Sequence, residues 1–470
     1  MIAEALAATT ILYLATYYII NAVMLLAALD AVPRLRSASR LILGHMAEEL
    51  SMLPGVSVLI PAHDEEIAIV KTVQSVLAAR YTNFEVIVIN DGSTDQTLRV
   101  LWDEFELRPA PRSPSHLLPT EPIRAVFRSK RFPNLTVVDK RNGGKADALN
   151  AGINCANEEL ICVIDADVSL EQDSLLALVL PFVEDPKTVA TSGMIRLRNG
   201  CTTQRAEISE VRLPRSFLEC FQVLEYIRSF SIGRLFFNES GSHLIISGAC
   251  GVFKRQVLER IGGYQRYAVG EDMELVVRLH RQLSDQSEDY NIVFVPETIC
   301  LTEAPQSLAD LGRQRTRWHM GLLTALRAHR SMLFKRRYGQ VGLLSFPYFT
   351  FFELLTPLLE ALGWLMLPLF WLLGWTSPGP FLMLVAVSIL FPFMVSLEAL
   401  LIDRILFGFF RPIAYVALLT VALLEPFVYH QATVYFRLRA FWRFYTQYGF
   451  RTAWKSPART KARAINDARP

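Results

Sequence analysis

The chain has 470 residues, 51% of them hydrophobic and 20% charged, with 48 Lys and Arg against 45 Asp and Glu. A formal charge of +3 is too small to argue for a nucleic-acid partner. The mean hydropathy of +0.27 reflects a few long apolar runs. Those runs exclude a purely soluble protein, the ordinary mixed sequence of 51–337 excludes a purely membranous one, and the lack of fixed-period repeats sets solenoids aside.

Leu6 to Leu29 is a nearly uncharged apolar run, long enough to span a bilayer. A signal peptide needs a basic leading region, and no Lys or Arg precedes Arg34. Arg34, Arg36 and Arg40 follow the run, so the positive-inside rule predicts an outer N-terminus and a cytoplasmic domain after it.

The middle alternates strand and helix. Val56–Ile60 reads as a strand, then a helix over Ile67–Arg80, a strand Phe84–Ile89 and a helix from Gln96. A strand Leu135–Val138, a helix Ala146–Asn154 and a strand Leu160–Ile164 complete it. Continuous apolar strands with helical crossovers predict a parallel sheet covered on both faces. Phe105 to Pro133, rich in Pro and Arg, reads as an inserted surface loop. The six cysteines form no C-x-x-C pair, and reduced thiols in a cytosolic core are expected.

Ligands of such sheets bind beyond the carboxyl ends of the strands. His63, Asp64, Glu65, Asp91 and Asp165-Ala166-Asp167 all fall there. Paired carboxylates closing an apolar strand suit a hard divalent cation shared with substrate phosphates, so Mg²⁺ or Mn²⁺ is expected. One His among these groups makes zinc a poor fit. Gly143-Gly144-Lys145 permits close backbone approach and supplies a cation for a phosphate, although it also reads as a helix-entry turn; it is not a Walker A loop.

Further along, Gly248, Ala249 and Cys250 lie in a small-residue stretch that admits a sugar or makes a tight turn. Gly270-Glu271-Asp272 opens a helix over Met273–Arg281, where an acid either caps the helix or serves as a general base. A helix over Leu311–Ala328 carries Gln314, Arg317 and Trp318 on adjacent faces, suited to a diphosphate and a sugar ring or to an anionic lipid surface.

The last apolar block contains Leu343–Trp375, Phe381–Leu401 and Pro412–Phe436, the last interrupted by Glu425-Pro426. Three spans would place the C-terminus outside, but the basic tail argues for inside, along the membrane surface, with Trp442 and Trp454 as anchors. Asp403 is expected to pair with Arg404; Glu353, Glu360 and Glu425 either pair nearby or line a polar cavity. The resulting domains are 1–50, an N-terminal transmembrane helix and basic linker; 51–335, the catalytic domain; 336–436, transmembrane and interfacial helices; and 437–470, a basic amphipathic tail.

Five ordered motifs carry a resemblance: Asp91-Gly92-Ser93-Thr94-Asp95, Asn142-Gly143-Gly144-Lys145, Asp165-Ala166-Asp167, Gly270-Glu271-Asp272 and Gln314-Arg315-Thr316-Arg317-Trp318. In this order they resemble the membrane-embedded, processive family-2 glycosyltransferases, which include cellulose, hyaluronan, chitin-oligosaccharide and poly-N-acetylglucosamine synthases. The resemblance implies an α/β GT-A domain between an N-terminal transmembrane helix and a C-terminal helical membrane domain, in the inner (plasma) membrane. It implies a UDP-sugar donor, inversion, and a β-linked polysaccharide passed across the bilayer, with an exporter or accessory proteins as further partners. Matched by motif, Ala62, Asp64, Glu65 and Asp91 would hold the nucleoside, Lys145 and Asp165 the nucleotide, and Asp167 the metal. Asp272 would be the base, Gln314 and Arg317 would hold the diphosphate, and Trp318 with Gly248 and Cys250 would meet the acceptor. The chain departs from the family pattern at His63-Asp64-Glu65 and Asn90-Asp91-Gly92. Transfer of a single sugar to a lipid acceptor is the alternative product.

Overall fold

The computed structural model describes residues 9, 12–13, 15–30, 53–110, 115, 117–204, 207–375 and 377–447. Arg34, Arg36, Arg40, Trp454 and the tail beyond 447 lie outside the described residues, as does part of the expected Leu6–Leu29 span. Its described continuous part is α1 (Ala15–Asp30), shorter than the roughly 20 residues a span requires.

The strand β1 (Val56–Ala62) buries every residue, because it lies between two other strands with cover on both faces. It is followed by α2 (Ile69–Leu77), β2 (Phe84–Asp91) and α3 (Thr97–Phe105). The stretch expected to be a loop instead holds β3 (Leu107–Pro109) and β4 (Ile123–Ser129). These strands form an antiparallel sheet edge whose exposed Arg108, Arg124 and Arg128 hide the apolar alternation. Cations on an edge strand discourage pairing with another chain.

Next come β5 (Leu135–Lys140), α4 (Lys145–Cys155), β6 (Leu160–Val163), β7 (Ser169–Leu170), α5 (Ser174–Glu184) and β8 (Thr188–Leu197). A separate ribbon pairs β9 (Thr202–Gln204) with β10 (Glu207–Glu210). The remainder of the catalytic half is α6 (Phe217–Arg228), α7 (Arg234–Glu239), β11 (Gly251–Lys254), α8 (Arg255–Arg260), α9 (Glu271–Asp285), β12 (Asn291–Thr302) and α10 (Leu308–Ala328).

The main sheet has ten strands in the order β3-β4-β5-β2-β1-β6-β11-β8-β12-β7. Its centre, β5-β2-β1-β6, is parallel as expected, but β4 and β11 run antiparallel to their neighbours and make the sheet mixed. Cys250 and Cys300, both fully buried, are joined as a disulfide with Cα atoms 6.5 Å apart. This corrects the expectation of six free thiols; a separation of 50 residues gives the sequence no hint of it.

Two described helical stretches are long and apolar enough to cross a membrane. Val341–Leu372 passes through α11 (Phe346–Tyr348) and α12 (Thr356–Leu372), with wider turns around α11. Phe381–Leu406 lies in α13 (Gly379–Leu406). Then α14 (Pro412–Leu424) and α15 (Tyr429–Gln447) belong to a pair bent by 49° at Val428, just past Glu425-Pro426, which counts as a third span only if the pair is one.

The two halves are joined by buried ion pairs. Arg196 on β8 meets Asp403 on α13 at 2.6 Å, held between the rings of Phe407 and Phe409. Asp403 therefore pairs with the sheet rather than with Arg404, a correction that sequence proximity could not supply. Arg228 at the end of α6 holds Glu425 at 2.6 Å, and Arg315 on α10, paired with Glu225 on α6 at 2.7 Å, also donates across to the Tyr429 hydroxyl at 3.2 Å. A lone carboxylate at these depths would be costly, so each is matched to a cation from another element.

Candidate active site

A cavity of about 1110 Å³ runs from the carboxyl ends of β1 and β6 to the membrane-type helices. At its sheet end stand Glu65, Lys145, Asp165 and Asp167. The small-residue loop Ser247-Gly248-Ala249, Asp272 and Trp318 also line it. Glu353, Glu360 and Glu425 line the part formed by the membrane-type helices, the second of the two placements open to them from sequence. Glu360 is bonded there to His430 at 2.8 Å.

Lys145 is the first residue of α4, and its ammonium lies 2.5 Å from Asp165 and 3.3 Å from Glu271. Burial alone would lower the lysine pKa; Asp165 and Glu271 outweigh it and raise it. Burial, aided by Asp167 and Glu271 and opposed by Lys145, pushes the Asp165 carboxyl up to about 6. Asp272 sits in the first turn of α9, accepting the N–H of Met273 at 2.8 Å and that of Gly248 at 3.3 Å. Burial and the neighbouring Glu271 raise its pKa, with Lys145 opposing.

Two glycine contacts make this placement possible. A Cβ on Gly248 would lie 2.8 Å from Lys145 Nζ, so a side chain there would displace the lysine. A Cβ on Gly270 would come within 2.9 Å of the Gly321 Cα, because α9 begins against the backbone of α10.

Gln314, Arg317 and Trp318 all line the cavity, and the buried Gln314 Oε1 has no hydrogen-bond partner among the described residues. Trp318 is 43% exposed, with the Arg315 guanidinium 4.2 Å from its ring centre. In the sequence Arg315 is only one letter of the Gln314–Trp318 motif. Its bonds to Glu225 and to Tyr429 on α15 fix α10 against both α6 and the last helix. Burial would raise the Glu225 carboxyl, but Arg315 and the Tyr429 hydroxyl bring it below the usual range.

Four expected contacts are placed differently. Asp91 is fully buried, bonded to Lys140 at 2.6 Å and to the N–H groups of Gly143 and Gly144. It shapes the turn before Lys145 instead of facing a nucleoside. Asp64 accepts the N–H groups of Thr94 at 2.7 Å and Asp95 at 3.3 Å. Although partial burial would raise its pKa, those bonds and His63 lower it. Ala62 is wholly buried inside β1, and Cys250 is buried in its disulfide; neither lines the cavity. Strand-end position is legible in the sequence for Asp64 and Asp91, but the direction of each side chain is not.

Among the described residues, no three His, Cys, Asp or Glu side chains converge as a metal cage. The two carboxylates of Asp165 and Asp167 still fit Mg²⁺ or Mn²⁺, which are commonly held by one or two carboxylates together with substrate phosphates. Lys145 beside Asp165 offers the second positive charge such a phosphate needs.

Comparison with known proteins agrees with this geometry. The model of glycosyl transferase family 2 matches residues 57–109, and that of glycosyltransferase-like family 2 matches 120–321. The poly-beta-1,6-N-acetyl-D-glucosamine synthase of Staphylococcus epidermidis is 28% identical over 276 residues, covering 58% of this chain and 56% of the synthase. The chain thus spans little more than half the length of that relative. The probable glycosyltransferase YdaM of Bacillus subtilis is 29% identical over 311 residues, covering 65% of each chain. Among solved structures, the mannosyltransferase PcManGT from Pyrobaculum calidifontis, in complex with GDP-Man and Mn²⁺, aligns with a TM-score of 0.51 at 17% identity. The alignment covers 94% of this chain and 99% of the mannosyltransferase, a likeness of fold.

Proposed function

This chain belongs to the family-2 glycosyltransferases, and we propose that it is a membrane-bound polysaccharide synthase. It extends a β-linked chain from a UDP-activated sugar, with N-acetylglucosamine the first candidate from its synthase relatives. The observation that carries this reading is the continuity of one cavity, from Asp165 and Asp167 past Asp272 to Glu353 and Glu360 among the membrane-type helices. A site serving only one transfer to a lipid has no need for that polar extension. The catalytic half faces the cytoplasm, and the helices pass the product outwards.

The chemistry is a single displacement with inversion. Asp272 takes the proton of the acceptor hydroxyl as that oxygen attacks the anomeric carbon. Its raised pKa brings it closer to the working range of a general base. Lys145, Gln314 and Arg317 hold the diphosphate, and Trp318 supports the terminal acceptor sugar. Bound at Asp167, Mg²⁺ or Mn²⁺ would neutralise charge on the departing diphosphate. Nothing in this scheme needs a protein nucleophile.

The test is product sizing with the full chain in lipid nanodiscs. UDP-N-acetylglucosamine, UDP-glucose and UDP-glucuronate are supplied separately with Mn²⁺ or Mg²⁺. A long polymer from one donor is expected; UDP release with only a single-sugar glycolipid would overturn the synthase reading.

A further inference from the structure

Of the six arginines that line the cavity, three are matched to carboxylates: Arg198 to Glu303, Arg228 to Glu425 and Arg315 to Glu225. Arg234, at the start of α7, is held differently. Among the described residues no carboxylate pairs with it. Its guanidinium lies 3.0 Å from His243 Nε2 and 5.1 Å from the centre of the Phe230 ring. It lines the same cavity as Gly248 and Asp272, close enough to Asp272 to feel its charge.

The histidine contact fixes a proton. Arginine only donates, so His243 Nε2 must accept and its hydrogen must sit on Nδ1. His243 is 1% exposed, and burial, Arg234 and His280 all hold its pKa far below the usual histidine value. It is held from behind by His280 Nε2, 2.9 Å from the His243 carbonyl, while His280 Nδ1 meets the Tyr290 hydroxyl at 2.8 Å. A carboxylate in place of His243 would orient the guanidinium and cancel its charge. A neutral imidazole orients it and leaves the charge in place for a ligand.

We infer that Arg234 belongs to the acceptor subsite and donates to the amide carbonyl of an N-acylated terminal sugar held beside Asp272. The inference rests on the polysaccharide-synthase reading and names the acceptor class for that site. Its chemistry follows from the cavity wall. A guanidinium without a carboxylate needs a strong oxygen acceptor when water is displaced. Acidic side chains outnumber basic ones along the wall, which disfavours an anionic polymer. Among the neutral groups a sugar carries, an amide carbonyl is a stronger acceptor than a hydroxyl or a ring oxygen. Arg234 thereby discriminates at the C2 substituent of the growing end.

The test uses the full chain in nanodiscs, UDP-N-acetylglucosamine as donor, and two primers of the same linkage and length, one of N-acetylglucosamine and one of glucose. Wild type is expected to show the lower KM for the N-acetylated primer. Arg234→Gln should raise that KM roughly ten- to a hundredfold, the loss typical of a hydrogen bond to a charged donor, and remove the preference. Arg234→Lys, which keeps the charge but not the fork, should fall between them. Titration with UDP establishes that each variant is folded, and Arg234→Lys carries the comparison if Arg234→Gln fails to bind UDP. A preference that survives in variants that bind UDP overturns the inference. Equal extension of both primers by wild type overturns it while leaving the polymerase reading intact. Extension of neither primer, with one sugar passed to a lipid, overturns both.

Discussion

On the sheet side of the cavity, the groups proposed to carry the chemistry stand within a few residues of a strand end or a helix start. Glu65 follows β1, Asp165 and Asp167 follow β6, and Lys145 and Asp272 open α4 and α9. On the helix side, the ion pairs join distant parts of the chain: Asp403 with Arg196, Glu425 with Arg228, Glu360 with His430. The first wall is built by local geometry repeated along a parallel sheet. The second is built by matching charges that a low-dielectric setting cannot leave alone. Change on the sheet side should therefore cost turnover before stability, and change on the helix side the reverse.

Asp272→Asn gives the largest effect expected on the sheet side. Turnover should fall by roughly 10²- to 10⁴-fold, the usual contribution of a general base, with UDP affinity retained. Retention of more than a tenth of wild-type turnover would exclude Asp272 as the base. Chelation of divalent cations should stop sugar transfer, and Mn²⁺ or Mg²⁺ should restore it. In Asp167→Asn the Mn²⁺ concentration for half-maximal rate should rise by at least the roughly tenfold seen for changes outside the ligand shell itself. An unchanged Mn²⁺ requirement would remove Asp167 from the metal site.

The helix side is probed by Arg196→Met, which strands the buried Asp403 carboxylate. Breaking such a pair costs about 3–5 kcal/mol, whereas removing both charges is far milder. Thermal unfolding in detergent should show a large loss for Arg196→Met and substantial recovery in Arg196→Met with Asp403→Leu. If the double variant is as unstable as the single one, the pair is not what joins sheet to helices. Donor affinity in the folded double variant should stay close to wild type, which sharpens the contrast between the walls.

The smallest effect is a pH dependence from buried neutral histidines. Burial holds His280 down to about 4 and, with help from Arg437, His319 down to about 3. The unfolded chain takes up these protons near 6.5, the folded chain only well below. Between those values the unfolded state binds more protons, so stability is full above about 6.5 and falls as pH drops towards 4. At pH 5 the loss is on the order of 2 kcal/mol per histidine. The unfolding midpoint should drop between pH 7.5 and 5, and less so in His280→Gln; a midpoint indifferent to pH would contradict neutral burial.

The legible part of the site follows the same division. Asp165, Asp167, Lys145, Asp272 and Trp318 stand in recognisable motifs, and all line the cavity. Asp64 and Asp91 hold equally good positions in the sequence, yet each accepts nearby backbone amides, Asp91 fully buried and Asp64 at the surface. A strand-end carboxylate has two ways to be satisfied, a ligand or a nearby N–H, and spacing does not choose between them. The loop 105–133 concealed an edge hairpin because its outward residues are arginines. Arg234 belongs to no motif, and what marks it is a buried histidine where Arg198, Arg228 and Arg315 have a carboxylate.

By itself, the sequence determined the parallel centre of the sheet, the positions of the acidic strand ends and the apolar helical stretches, because each follows from short-range periodicity. Only the tertiary structure decided which carboxylates face the cavity, which cation answers each buried acid and where Cys250 finds Cys300. Those outcomes depend on the energy of charges and polar groups removed from water, and that energy is fixed by neighbours tens to hundreds of residues away.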